Sequence, residues 1–253
     1  MAHKRSISWS YQNTANPTTA AAINQLNFHG PIKSLSNWEL WSPPELKNRL
    51  TFRPMVHDPS RFTSAEWAST SKSTRNAIIH FYNEPERIPV SPSDAAQAWT
   101  SKMLPLRHEN RGNRLVSPSV AGDSAGASWL HKWMDMISSK DAAAHKPDFL
   151  GLHYYGTSSA AIIACLTSMH DKYHLPVIVS EWACTSRDEH EVLQFTVAMT
   201  DWMDRTDWVF EYTLFGLTAA PVDGFVSPAA QLMRGDRFTP LMRKYMDEVP
   251  MKL

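Results

Sequence analysis

The chain has little cysteine: only Cys165 and Cys184 occur in 253 residues. Neither a C-x-x-C nor a zinc-type Cys/His spacing is present, which excludes a disulfide-dense scaffold and a structural zinc module. A single bridge stays open, although Cys165 falls mid-helix and Cys184 in a loop on this reading. Glycine is scarce, at nine residues, and no G-x-G-x-x-G or P-loop appears, which argues against a nucleotide-binding open sheet. The formal net charge is zero, with neither basic stripe nor acidic tail, so nucleic acid and anionic membranes are poor partners. No apolar run approaches the roughly 18 residues a membrane span needs. Residues 1–12, MAHKRSISWSYQ, hold no apolar h-region and read as no signal peptide. The eleven histidines are scattered without H-E-x-x-H, and neither metal nor cofactor is expected. The run GDSAG at 122–126 is set aside as a nucleophile elbow, because it is read neither as G-x-S-x-G in form nor as leading from an apolar strand into a helix.

What the chain does have is tryptophan, ten in all, and short apolar runs alternating with amphipathic stretches. That alternation is the signal of repeated βα units. The runs are SISW ending at Trp9, a less clear one near NWELW ending at Trp41, LTFRPMV (50–56) and NAIIHFYN (76–83). They continue as RLVSPS (114–119), FLGLHYY (149–155), PVIVSEW (176–182) and WVFEYTLFG (208–216). Between them, Thr63 with Glu66 spells a capping box, and Ser91-Pro92 a helix start with proline first. Helical stripes run through Trp129, Trp133, Met136 and Ile137, through Ile162, Leu166, Met169 and Tyr173, and through Val192, Phe195, Met199 and Trp202. TPLMRKYMDEV reads as a closing helix. Eight strands without a linker predict an α/β protein, a single (β/α)8 barrel over residues 1–253, with a doubly wound sheet as the alternative.

Active sites of such barrels lie at the C-terminal strand ends. The residues there are Trp9, Trp41, His57, Asn83, Glu84, Ser119, His153, Tyr155, Glu181, Trp182 and Phe215. Glu84 and Glu181 end the fourth and seventh strands, on opposite sides of an eight-stranded barrel. Side chains reaching inward from there can bring two carboxyls to about 5 Å, the spacing of a retaining glycosidase. One must give a proton to the departing oxygen while the other attacks the anomeric carbon. Asn83 could bond a sugar hydroxyl beside the reacting carbon, and Tyr155 could hold Glu181 ionised. His153 shares parity with Tyr155, and His57 is a subsite candidate. Trp9, Trp41, Trp182 and Phe215 offer flat apolar faces for sugar rings. His80 reads as a core histidine, and Glu86, Glu189 and Glu191 as loop or first-turn charges.

With ISWSYQ, FRPMV, FYNEPER, FLGLHYYG, LPVIVSEWAC and EYTLFGL in that order, the chain resembles the glycosyl-hydrolase catalytic-core family, glycoside hydrolase family 128 of clan A. The resemblance implies a β-1,3-glucanase acting on polysaccharide such as fungal cell wall, with Glu84 as acid/base and Glu181 as nucleophile. It also implies a β-glucan polymer or oligosaccharide as partner, and an extracellular or cell-wall location. A monomer is expected. Two departures stand out: His57 and Leu214 occupy positions where the family often has tryptophan, which puts the glucan-binding mode in question. A glucan-binding barrel without catalysis, or a clan A hydrolase of another β-glycan, are the competing expectations.

Overall fold

Seven of the eight apolar runs contain a parallel strand, and the strands close on themselves. The computed structural model describes residues 4–107, 111–221 and 226–253, with the backbone alone for 139–143. In chain order the strands are β1 (Arg5–Trp9), β2 (Ile32–Ser36), β3 (Thr51–Phe52), β4 (Met55–Val56), β5 (Ile78–Asn83), β6 (Arg114–Ala121), β7 (Leu150–Gly156), β8 (Val177–Cys184) and β9 (Val209–Leu217). Their order across the sheet is β3-β2-β1-β9-β8-β7-β6-β5-β4. The two ends, β3 and β4, are halves of one stave, so the sheet is a barrel of eight. The stave breaks at Arg53-Pro54 because proline has no N–H to give to a ladder. It still serves both neighbours: the Arg53 N–H reaches the Leu35 carbonyl and the Pro54 carbonyl accepts from the His80 N–H.

The second stave is not where the sequence suggested. It spans Ile32–Ser36, and NWELW is the loop beyond it. Asn37 ends the strand: its Oδ1 accepts the Glu39 N–H and its Nδ2 donates to the Trp41 carbonyl, the short polar turn an Asn favours. Trp38 then takes a left-handed φ of 61°.

The helices are α1 (Tyr11–Ala15), α2 (Pro17–Ala21), α3 (Ala65–Ser73), α4 (Pro92–Ala98), α5 (Leu104–Arg107), α6 (Ser124–His145), α7 (Ser159–Tyr173), α8 (Glu189–Arg205) and α9 (Pro240–Asp247). The cap of α3 is Ser64, whose hydroxyl accepts the Trp67 N–H, one residue after the Thr63 expected; Thr63 bonds back to the Ser60 carbonyl instead. Ser91 caps α4 as expected, with Pro92 first. On α6, Trp129, Trp133 and Ile137 are buried, whereas Met136 falls off that stripe and is 42% exposed. Val192, Phe195 and Met199 bury one face of α8, and each such side chain contributes about 1.5–3 kcal/mol. GDSAG does have the G-x-S-x-G form and does join strand to helix, between β6 and α6, contrary to the sequence reading. Its Asp123 caps α6 through the Gly126 N–H, and Ser124 is exposed. Cys165 and Cys184 are both free, and Cys184 ends β8 rather than lying in a loop.

The barrel interior is polar and small-sided above its base. Ser119 and Ser180 share a hydrogen bond of 3.0 Å although β7 lies between their strands, so they meet across the lumen. Gly151 of β7 permits this, since a Cβ there would stand 2.3 Å from the Ser119 hydroxyl. Arg53 likewise spans the lumen to Glu211, at 2.7 Å. Below them Ile78, Val116, Phe149 and Ile178 form a separate apolar plug.

Candidate active site

The site begins with two breaks in strand alternation. In β5 the register against β6 shifts between Phe81 and Asn83, and Tyr82 has a φ of 47°. Phe81 and Tyr82 therefore stack on each other, ring centres 3.9 Å apart, while Asn83 turns to the lumen side and lines the cavity there. Glu84 is left-handed too, with φ 41° and ψ 57°, a conformation that costs about 1–3 kcal/mol and persists only when its surroundings enforce it. Three things do so here. Pro85 disfavours the right-handed helical region for the residue before it. The Glu84 N–H donates to the Ser119 carbonyl at 2.8 Å. Glu86, read from sequence as a loop charge, accepts the Ala121 N–H at 2.7 Å and ties the turn to the end of β6. In β8 the register against β9 shifts between Val179 and Trp182, so that Ser180 and Glu181 both reach the lumen. Bulges of this kind re-aim side chains beside active sites.

Glu181 is held at both oxygens. Tyr155 donates to Oε2 at 2.6 Å and the indole of Trp38 to Oε1 at 2.7 Å. His153, fully buried, stands between the carboxylates: Nδ1 is 2.9 Å from Glu84 Oε1 and Nε2 is 3.7 Å from Glu181 Oε1. One atom each of Glu84, His153 and Glu181 lie within 4.8 Å of one another. That trio has the donor types of a cation site; within it only His153 Nδ1 and Glu84 are in hydrogen-bond contact, at 2.9 Å. Burial alone would push the His153 imidazole down, but Glu181 and Glu84 raise it above its ordinary 6.5. Burial would push Glu84 up, but the His153 hydrogen bond and charge and the Arg87 charge hold it below the usual carboxylate value. Both shifts favour the charged form of each group at their 2.9 Å contact.

A cavity of about 540 Å³ opens over Glu84 and Glu181. Of the residues expected at the rim, Asn83, His57, Tyr155 and Phe215 line it, and His153 lies beneath. Asn83 Oδ1 is buried with no partner among the described residues. Phe215 meets both Trp38 and Tyr155 edge-on, at 5.8 and 5.7 Å.

Three tryptophans are elsewhere. Trp182 follows the inward Glu181, so alternation turns it outward, where it is fully buried against Phe195 of α8 and Tyr212. Trp9 is fully buried and gives its N–H to Glu45 at 2.8 Å. Trp41 sits in the loop after β2 and is not among the cavity residues. Sequence reasoning missed Trp38, Tyr11, Glu39 and Arg61, all of which line the cavity. Arg61 is paired with Glu39 at 2.9 Å. Only Tyr11, an aromatic directly after the first strand, gave a usable signal. Leu214, the other departure expected from the family pattern, is buried and is not among the cavity residues.

A closed eight-stave barrel with paired glutamates at its mouth belongs to the class of barrel glycoside hydrolases. The chain is a member of the family described as glycosyl hydrolase catalytic core, whose model matches residues 3–245, and within it of glycoside hydrolase family 128. Among solved structures it is similar to a subgroup VI exo-β-1,3-glucanase of that family from Aureobasidium namibiae, at 47% identity and a TM-score of 0.93, covering 100% of this chain and 99% of that one. A subgroup V exo-β-1,3-glucanase from Cryptococcus neoformans shares the fold at 23% identity and a TM-score of 0.79, covering 96% and 98%. So does a subgroup VII oligosaccharide-binding protein from the same organism, at 18% identity and 0.74, covering 96% and 92%. No curated protein matches the chain.

Proposed function

We propose that this glycoside hydrolase cleaves β-1,3-glucan with retention of configuration, Glu181 acting as nucleophile and Glu84 as acid/base. The observation that carries this reading is the placement of one atom each of Glu84, His153 and Glu181 within 4.8 Å of one another, which suits the close carboxyl pair of a retaining enzyme, about 5–5.5 Å apart. The substrate assignment rests on the relative that shares 47% of the sequence.

In the first step Glu181 attacks the anomeric carbon while the departing oxygen takes a proton from Glu84. Glu84 receives that proton from His153 Nδ1 and so leaves the step as a carboxylate, ready to act as base. Trp38 and Tyr155 keep Glu181 aimed, and Asn83 bonds a hydroxyl of the reacting sugar. Water, deprotonated by Glu84, then cleaves the glycosyl ester.

The test is a panel of laminarin, curdlan, β-1,6-glucan, mannan and cellulose with wild type, Glu84→Gln and Glu181→Gln. Each variant should lose about a hundredfold or more on the β-1,3-glucans. NMR of the first-formed anomer should show retention. Wild-type rates in either variant, or an inverted first product, would overturn the assignment. Binding of laminari-oligosaccharides without products would favour a binding protein instead.

A further inference from the structure

We propose that His153 and Glu181 together bind a divalent transition-metal ion of the Zn²⁺ type, and that an ion held there blocks the enzyme. The site stands on its geometry; the block rests on the hydrolase reading above.

The first observation is a nitrogen without a partner. His153 is 1% exposed, and its Nε2 has no hydrogen-bond partner among the described residues. A buried polar atom left unsatisfied costs about 1–3 kcal/mol. This nitrogen stands 3.7 Å from Glu181 Oε1, too far for a hydrogen bond. The gap has the size of a shared ion. Zinc bonds to imidazole nitrogen and carboxylate oxygen are about 2.0–2.2 Å long, so a tetrahedral ion sets two such ligands about 3.3–3.6 Å apart.

The second observation is what stands behind each ligand. His153 Nδ1 lies 2.9 Å from Glu84 Oε1. With its proton on Nδ1 and given to that carboxylate, the ring directs the Nε2 lone pair towards Glu181. This is the carboxylate–histidine pairing that supports metal-bound imidazoles. Glu181 Oε1 accepts one hydrogen bond, from Trp38 at 2.7 Å, which leaves it a second lone pair. Tyr155 fixes the other oxygen at 2.6 Å. An ion that takes the Nε2 lone pair displaces any proton held there.

Both ligands are within reach of solvent-filled space. Glu181 lines the cavity of about 540 Å³, and His153 borders a neighbouring one of about 590 Å³. Water completes the coordination shell from there. One imidazole nitrogen with one carboxylate oxygen favours transition ions over Mg²⁺ and Ca²⁺, which prefer all-oxygen shells. Two protein ligands are fewer than the three of catalytic zinc sites, so the ion exchanges and acts as an inhibitor. While bound, it occupies the oxygen and neutralises the charge with which Glu181 would attack a sugar.

The experiment locates the ion by anomalous scattering in crystals grown with ZnCl₂. Titration calorimetry then measures Zn²⁺ affinity for wild type, His153→Gln, Glu181→Gln and His131→Ala. His131 is the control, because its exposed pair with Asp135, at 3.6 Å, offers the same donor types at the surface. The anomalous peak should lie between His153 Nε2 and Glu181 Oε1. Affinity should fall at least about tenfold in His153→Gln and in Glu181→Gln, the least that loss of even a supporting partner costs, and stay unchanged in His131→Ala. Zn²⁺ should inhibit hydrolysis of laminari-oligosaccharides competitively, with full reversal by EDTA, whereas Mg²⁺ should not inhibit. Zinc found only at surface histidines, or wild-type affinity in His153→Gln, would overturn the site. Zinc between the two residues with undiminished hydrolysis would overturn the block. Absence of hydrolysis of any β-1,3-glucan by metal-free wild type would instead overturn the hydrolase reading and leave the site standing.

Discussion

Trp38 donates its indole N–H to Glu181 over 2.7 Å, from a loop 143 residues away in the chain. The contact needs the left-handed backbone of Trp38 and the edge of its ring on Phe215. Together with Tyr155 it gives each carboxylate oxygen of Glu181 one donor. A hydrogen bond to a charged group is worth about 1.5–3 kcal/mol. Trp38→Phe keeps an apolar ring and removes the donor, so kcat should fall roughly 10- to 100-fold with a smaller change in KM. Steady-state kinetics on a laminari-oligosaccharide checks this, and an unchanged kcat would mean that Tyr155 alone positions Glu181.

The raised imidazole of His153 gives the second prediction. Glu84, Glu86 and Glu181 face this imidazole and raise it above 6.5, against the effect of burial. A raised histidine keeps its proton below its folded value and loses it as pH rises through that value. The acid needed for bond cleavage is lost with it, so kcat/KM should fall on the alkaline side of pH 6.5. In His153→Gln the remaining acid is Glu84 alone, and the limb should move to lower pH, with kcat reduced by about a hundredfold. A pH–rate profile with the limb in its original place would show that the proton is stored elsewhere.

The two glutamates were legible because each ends a strongly apolar run, and a run that long fixes where the barrel rim falls. What the runs do not carry is the pair of bulges, at Tyr82 and at Ser180–Glu181. They arise from pairing between strands, which a single strand's sequence does not encode. The misplaced tryptophans have a simpler origin. Taking every residue at a strand end as a rim residue ignores the period of two, and once Glu181 points inward Trp182 must point out. Trp38 was hidden because its strand was read several residues too late; the Asn37 turn that ends the strand shows only in its side-chain hydrogen bonds. His57 was found because Pro54 makes the end of its stave conspicuous.

His80 bears on acid stability. Burial, with Arg53 and His153 nearby, pushes its imidazole down to about 3 from an ordinary 6.5. A depressed histidine leaves its stability contribution whole above the unfolded value. As pH falls from 6.5 towards 3 the unfolded chain takes up a proton that the folded one refuses, and stability drops by up to about 1.4 kcal/mol per pH unit. Between pH 7 and pH 5, wild type should therefore lose about 2 kcal/mol more than His80→Gln. Denaturant unfolding at both pH values measures the difference, in which the other titrating groups cancel.

The last prediction concerns how the barrel is closed at its base. Arg5, on β1, is fully buried and gives hydrogen bonds to the Tyr245 and Glu248 carbonyls at 2.8 and 2.7 Å, to the Tyr212 hydroxyl at 3.1 Å, and to Asp204 of α8 at 3.2 Å. One side chain thus joins the first stave to the last helix and to α8. Arg5→Met fills much of the same space but leaves the Asp204 carboxylate and two carbonyls without this donor. Removing one partner of a buried pair costs about 3–5 kcal/mol, and a chain of this size loses about 2–4 °C in Tm per kcal/mol. The single variant should melt roughly 6–20 °C below wild type. If the unpaired charge is the cause, Arg5→Met with Asp204→Leu should be more stable than Arg5→Met alone, since the stranded carboxylate is gone. A double variant that melts lower still would assign the loss to packing and to the orphaned carbonyls instead.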